Sequence, residues 1–127
     1  MTRLFTLLIL VLLAPLTAAR AGESALVMIQ SPGCPYCAKW DREIAPVYEK
    51  TEEAARFPLK RVDIAEARRD PVLARALTAP PYYTPTFILM DDGREVGRII
   101  GYSNEFSFWG LFDIEKRKLA ALPAPAN

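Results

Sequence analysis

Apolar residues in this chain fall in short blocks punctuated by proline and glycine, and their spacing changes from block to block. Ala25–Gln30 is a continuous apolar run that stops at Ser31-Pro32-Gly33, which predicts a buried strand. From Pro35 the pattern turns helical, with Cys37, Trp40, Ile44, Val47 and Tyr48 recurring at helical spacing. Pro35 suits the first helical position, where a missing N–H costs nothing. Pro46 predicts a kink or split, because its ring collides with the carbonyl of Arg42, and residues 49–56 continue as a second piece. Residues 58–64 alternate and end in an apolar pair, which predicts a second strand. Asp70-Pro71 reads as an N-cap and a first-turn proline that open a short helix over 72–77. Residues 79–85 form a proline-stiffened loop, and residues 86–90 a third strand. Asp91-Asp92-Gly93-Arg94 has the composition of a hairpin turn, so residues 95–100 return as a fourth strand that Gly101 stops. Ser103 or Asn104 caps a last helix whose core face is expected to carry Phe106, Trp109, Phe112 (or Leu111) and Leu119.

The predicted order is β-α-β-α-β-β-α. A helical connection makes the first two strands parallel with a right-handed crossover, and a hairpin makes the last two antiparallel. The expected class is α/β, a mixed four-stranded sheet flanked by helices on both faces. A chain of 127 residues gives one such domain, expected over residues 22–121. The stretch 122–127, rich in Pro and Ala, is expected to be a flexible tail.

The first 21 residues have a different character. Arg3 precedes an apolar run over residues 4–14, and Ala19-Arg20-Ala21 is a small-x-small cleavage site. The run is short of the roughly 20 apolar residues that span a bilayer. It reads as a secretory signal peptide, residues 1–21, and the expected location is the periplasm. Retention of this segment as an anchor is the other reading. Export would place both cysteines in an oxidising compartment, where a disulfide persists.

Charge and composition then narrow the chemistry. The net charge is +1 with 24% charged residues and no long basic block, which argues against nucleic acid as a partner. The chain has no histidine, which removes Ser-His-Asp triads, Cys-His pairs and histidine metal sites together. It has two cysteines, Cys34 and Cys37, in the stretch Cys34-Pro35-Tyr36-Cys37. Three readings of that stretch are open. As a structural clasp it would close so short a loop that the unfolded-state effect is roughly 2 kcal/mol, against about 3 for a 15-residue loop. As half a tetrahedral metal site it lacks a second ligand pair. As a redox centre it has the favourable placement, a CxxC that follows a strand and opens a helix. In that reading Cys34, at the helix start, is the nucleophile, because free N–H groups and the helix dipole stabilise its thiolate. Cys37, one turn on, resolves the mixed disulfide. Pro35 and Tyr36 tune the backbone and N–H pattern around the sulfurs. No cofactor is needed beyond the redox-active disulfide Cys34–Cys37, and no metal.

Strand, CxxC, helix, strand, helix, Thr84-Pro85-Thr86, a hairpin at Asp92-Gly93, Gly101 and a final helix together resemble the thioredoxin-like family over nearly all of the mature chain. The CPYC stretch also looks like glutaredoxins, but Thr84 stands where those carry Val, and a single Gly101 where they carry a Gly-Gly pair. The resemblance implies that Pro85 is cis beside the CxxC and that a substrate segment pairs with the Thr84 backbone as an added strand. Met28 stands where many thioredoxins carry a buried acid, so proton transfer from Cys37 would run through water or the departing thiolate. The stretches PGCPYCAKWDREIAPVYEKTEE, PLKRVDI, YTPTFILMDDGREVGRIIGY and FWGLF resemble the SoxS family of periplasmic thioredoxins found with sulfur-oxidation (Sox) systems. That resemblance implies a thiol–disulfide oxidoreductase that reduces a disulfide or mixed disulfide on a protein with a reactive cysteine, the sulfur-carrier protein of thiosulfate oxidation. It also implies a membrane thiol-transfer protein as electron donor. A general disulfide oxidase or isomerase, and a non-catalytic binding module on the same scaffold, are the competing expectations.

Overall fold

The computed structural model describes residues 23–122; the expected signal peptide at 1–21, and the tail after Leu122, lie outside the described residues. Strands β1 (Ala25–Gln30), β2 (Leu59–Asp63), β3 (Thr86–Asp91) and β4 (Arg94–Ile100) form one sheet in the order β2-β1-β3-β4. β1 is parallel to β2 and antiparallel to β3, and β4 is antiparallel to β3. The central strands β1 and β3 are buried on both sides, which is why they read as continuous apolar runs. The hairpin between β3 and β4 turns on Asp92 (φ 50°) and Gly93 (φ 71°), the left-handed pair that a two-residue loop requires.

The helices among the described residues are α1 (Pro35–Glu43), α2 (Ala45–Tyr48), α3 (Glu52–Arg56), α4 (Ile64–Arg69), α5 (Pro71–Ala76) and α6 (Glu105–Ala121). They divide between the two faces of the sheet. On one face α1, α2 and α6 bury Trp40, Ile44, Tyr48, Phe108 and Phe112 against Leu26, Met28, Phe87 and Leu89. On the other, α4 and α5 cover Ala25, Val27, Ile29, Ile88 and Met90 with Ala67, Leu73 and Ala76. The architecture is the mixed four-stranded sheet with helices on both faces that the pattern predicts.

Several local expectations are corrected. Pro46 does split the first helix, at Ile44, but the continuation breaks again, and α3 starts at Glu52 because the Thr51 side chain accepts the Ala54 N–H. Val47 is exposed, and Tyr48 is the residue of α2 that enters the core. Ile64 does not end β2 but begins α4, which Asp63 caps by accepting the Ala65 N–H at 2.8 Å. α5 runs from Pro71 and ends at Ala76, with Leu77 as its cap. On α6 the buried pair is Phe108 and Phe112, while Phe106 is 89% exposed and Leu111 is also exposed. Asn104 supplies the cap, accepting from the Ser107 N–H.

Candidate active site

The apolar run of β1 ends against Ser31-Pro32-Gly33, and Gly33 takes a left-handed φ of 73° that reverses the chain. Cys34 thereby lands at the N-cap of α1 with extended backbone, and Pro35 takes the first turn. Cys34 Sγ accepts the backbone N–H of Cys37 at 3.1 Å, the contact that an N-cap side chain makes with the third residue of a helix. The two sulfurs form a disulfide with the Cα atoms 5.3 Å apart. Cys37 is buried in the same core cluster as Trp40, Phe87 and Phe108, whereas Cys34 is only partly covered. Pro35 and Tyr36 are exposed on the rim. One sulfur is thus accessible and supplied with an N–H donor, and the other lies one turn inside.

The sheet brings the distant Thr84 to this site. Ile29 of β1 is opposite Thr86 of β3, so continuing that antiparallel register by two residues sets Ser31 opposite Thr84. Their hydroxyl oxygens meet at 3.1 Å. The Thr84–Pro85 peptide bond is cis, and Pro85 is buried. Its carbonyl accepts the Gly101 N–H at 2.7 Å, which ties the segment after β4 to the same end of the sheet. The Thr86 hydroxyl donates to the Tyr83 carbonyl at 2.7 Å, fixing the chain on the other side of the proline.

A pocket of about 480 Å³ lies along the disulfide, lined by Gln30, Ser31, Cys34, Cys37, Asp41 and Asp63 among others. Asp41 lies one helical turn after Cys37 and pairs with Arg61 of β2 at 2.8 Å. Arg61 also donates to Gln30 Oε1 at 3.0 Å, touches Met28 Sδ at 3.5 Å and lies over the Trp40 ring. The parallel register that sets Met28 beside Arg61 explains this cluster. On the opposite flank, Lys39 Nζ donates to the Ser103 carbonyl, and the Tyr102 hydroxyl donates to Glu43 at 2.6 Å. Burial, and then the Glu43 carboxylate, push the Tyr102 hydroxyl well above its ordinary pKa, so it stays a donor. These contacts fasten α1 to the segment after Gly101. Neither cluster is legible from spacing, because each joins residues from separate elements.

The Thioredoxin-like domain family matches residues 14–113. The chain belongs to that family. It is similar to the periplasmic thioredoxin SoxS from Paracoccus pantotrophus in its reduced form, at 40% identity over 76% of this chain and 99% of that one, with a TM-score of 0.67. The oxidised mitochondrial thioredoxin 3 of Saccharomyces cerevisiae aligns at 20% identity over 72% of this chain and 79% of that one, with a TM-score of 0.52. The Fasciola hepatica thioredoxin aligns at 21% identity over 77% and 83%, also with a TM-score of 0.52. At those identities the last two speak for the fold alone. No match is found among curated proteins. A thioredoxin-like scaffold with an intact Cys34–Cys37 pair at the start of α1 is therefore what this chain presents.

Proposed function

We propose that this protein is an exported thiol–disulfide oxidoreductase that reduces a disulfide or mixed disulfide on a specific periplasmic protein. The observation that carries the reading is the asymmetry of the pair: Cys34 partly open at the helix N-cap with the Cys37 N–H on its sulfur, and Cys37 buried one turn below. In the reduced protein the same N–H and the helix N-terminus favour the Cys34 thiolate. That thiolate attacks one sulfur of the partner's disulfide, forming a mixed disulfide and releasing the other sulfur as a thiolate. Cys37 then loses its proton and attacks Cys34 Sγ. The second partner thiolate leaves, and the Cys34–Cys37 disulfide forms, so two electrons have passed to the partner. Pro35 and Tyr36 shape the rim, and Thr84 with Pro85 receives the partner's extended backbone.

The similarity to a periplasmic SoxS thioredoxin supports a periplasmic location and a partner of the sulfur-carrier kind, whose reactive cysteine would be restored. A membrane thiol-transfer protein would return the electrons. The test is insulin reduction with dithiothreitol as donor, comparing the wild type with Cys34→Ser. Catalysed turnover by the wild type and background rate for the variant are expected; equal rates would remove the enzymatic reading. Cys37→Ser, expressed in the periplasm, should retain one partner through a bond that dithiothreitol breaks. Retention of a single sulfur-carrier subunit is the expected result. Retention of many unrelated proteins would replace the specific reductant with a general oxidoreductase.

A further inference from the structure

The segment that leads into Thr84-Pro85 is held by a device on the far edge of the sheet. β4 contains a register irregularity: Glu95 is opposite Met90, but Gly97 is opposite Leu89, so Val96 is an extra residue. In a regular strand, residues three apart point to opposite faces. The extra residue cancels that alternation. Met90 and Ile88 share one face of β3, so their partners Glu95 and Arg98 share one face of β4. The side chains meet there in a two-pronged pair, with Arg98 Nε on Glu95 Oε1 at 2.7 Å and Arg98 Nη2 on Oε2 at 2.8 Å. The Glu95 side chain is only 4% exposed and that of Arg98 17%, so this pair is screened far less than a surface one.

The pair has two further bonds, and both go to the same loop. Glu95 Oε2 accepts the Thr78 N–H at 2.8 Å, and Arg98 Nη2 donates to the Ala79 carbonyl at 2.7 Å. A second arginine acts on the next turn: Arg68 of α4 donates to the Pro81 carbonyl at 3.0 Å and lies over the Tyr82 ring. The loop contains Pro80, Pro81 and Pro85, which offer no N–H, so few backbone donors are available to anchor it. Side chains supply the anchors instead.

We infer that the Glu95–Arg98 pair, brought onto one face by the bulge at Val96, is a positioning device that sets the loop carrying Thr84 for pairing with a protein substrate. It acts on recognition of extended protein disulfides and leaves the chemistry at Cys34 unchanged. This rests on the oxidoreductase reading above, and the assays separate the two. Insulin serves as the protein disulfide and 5,5′-dithiobis(2-nitrobenzoate) as a small one that has no backbone to pair. Arg98→Lys keeps the charge but loses the fork, and Glu95→Gln keeps the shape but loses the charge. Each is expected to raise KM for insulin about fivefold, the scale of one or two lost hydrogen bonds. The insulin kcat, the rate with the small disulfide and the Cys34 alkylation rate are expected to stay at wild-type values. A lowered melting temperature with unchanged insulin KM in both variants would make the pair merely structural and overturn the proposal. Equal losses on insulin and the small disulfide would overturn it too, since the loop would then act through the sulfur. If the wild type reduced neither substrate, the oxidoreductase reading itself would fall, and this inference with it.

Discussion

The two faces of the sheet are built by different means. The α1/α6 face is a stack of rings, with Trp40 centroids 5.0 Å from Phe87 and 5.7 Å from Phe108, and Phe87 5.1 Å from Phe108. The α4/α5 face is aliphatic and smaller, and its outer parts are held by polar bonds from Arg68, Glu95 and Arg98. Ring packing is dense and tolerates little displacement, so it suits the helix that carries Cys34 and Cys37. Hydrogen bonds from long side chains fix a proline-rich loop at a few points while leaving its outer surface free. Tyr82 and Tyr83 are accordingly exposed on that loop. The sulfurs ride on the rigid face, and the segment proposed to meet the partner hangs from the lighter one.

The sharpest way to break this comparison is to remove a ring. Phe108 touches Trp40, Phe87, Tyr102, Trp109 and Phe112, and Phe108→Ala is expected to cost about 4 kcal/mol. Ile88→Val on the opposite face should cost about 1 kcal/mol. Urea unfolding of both variants measures the difference, and equal costs would dissolve the distinction. Next in size is Gly97, where α6 crosses β4 so closely that an added Cβ would lie 2.9 Å from Glu115 Cβ. Gly97→Ala must push the helix outward and is expected to cost about 2 kcal/mol. A neutral result would mean that the ring-packed face yields more readily than its density implies.

One buried group on each face should fail at opposite ends of the pH scale. Burial, reinforced by the nearby Glu53 carboxylate, holds the Tyr48 hydroxyl well above its ordinary pKa of 10.0, while it donates to the Phe57 carbonyl. Its contribution is complete below that ordinary value and is lost as pH rises toward the folded one. For Glu95, burial would raise the carboxyl, but hydrogen bonds from Arg98 and Thr78 outweigh it and hold the group below its ordinary 4.5. That contribution is present above 4.5 and is lost as pH falls through the folded value. Glu53, hydrogen-bonded to Lys116 of α6, is held down likewise and adds to the acid limb. Melting temperatures from pH 3 to 11 should therefore show Tyr48→Phe flattening only the alkaline limb and Glu95→Gln only the acid one. Exchange of those effects would reverse the assignment.

What the sequence made legible follows from the range of the interactions involved. Strand positions, the split at Pro46, the Asp70 cap and the Cys34 position at a helix start are set by neighbours within a few residues, and all are present. α4 was readable too: Asp63 followed by Glu66 is a cap signature, obscured by the alternation that runs on through Ile64. The Arg61–Asp41 pair, the Ser31–Thr84 contact and the clamp at Glu95–Arg98 depend on sheet register. The last depends on a bulge, which no periodicity announces. Helix phase was read right at Phe112, Trp109 and Leu119, which are in or packed against the core, and wrong at Phe106: α6 carries apolar residues nearly all the way round its first turns, so the spacing admits Phe106 where Phe108 is the residue that is buried.

The smallest expected effect tests that phase directly. Phe106 and Phe108 lie two residues apart on α6, which places them on different sides of the helix. The first is 89% exposed and the second 2%. Phe106 flanks an open hollow shared with Asn104, Glu105, Trp109 and Gly110 and belongs to neither core cluster. Its ring stays in water whether the chain is folded or not, so truncating it removes almost no buried area. Phe106→Ala is therefore expected to change stability by less than about 0.5 kcal/mol, the ordinary range for surface substitutions. Measured beside Phe108→Ala in the same urea series, the two variants should differ by about 3 kcal/mol or more for the same change of side chain. A cost above about 1 kcal/mol for Phe106→Ala would mean that α6 is rotated toward the sheet from the phase described, and the ring contacts assigned to Phe108 would have to be redrawn.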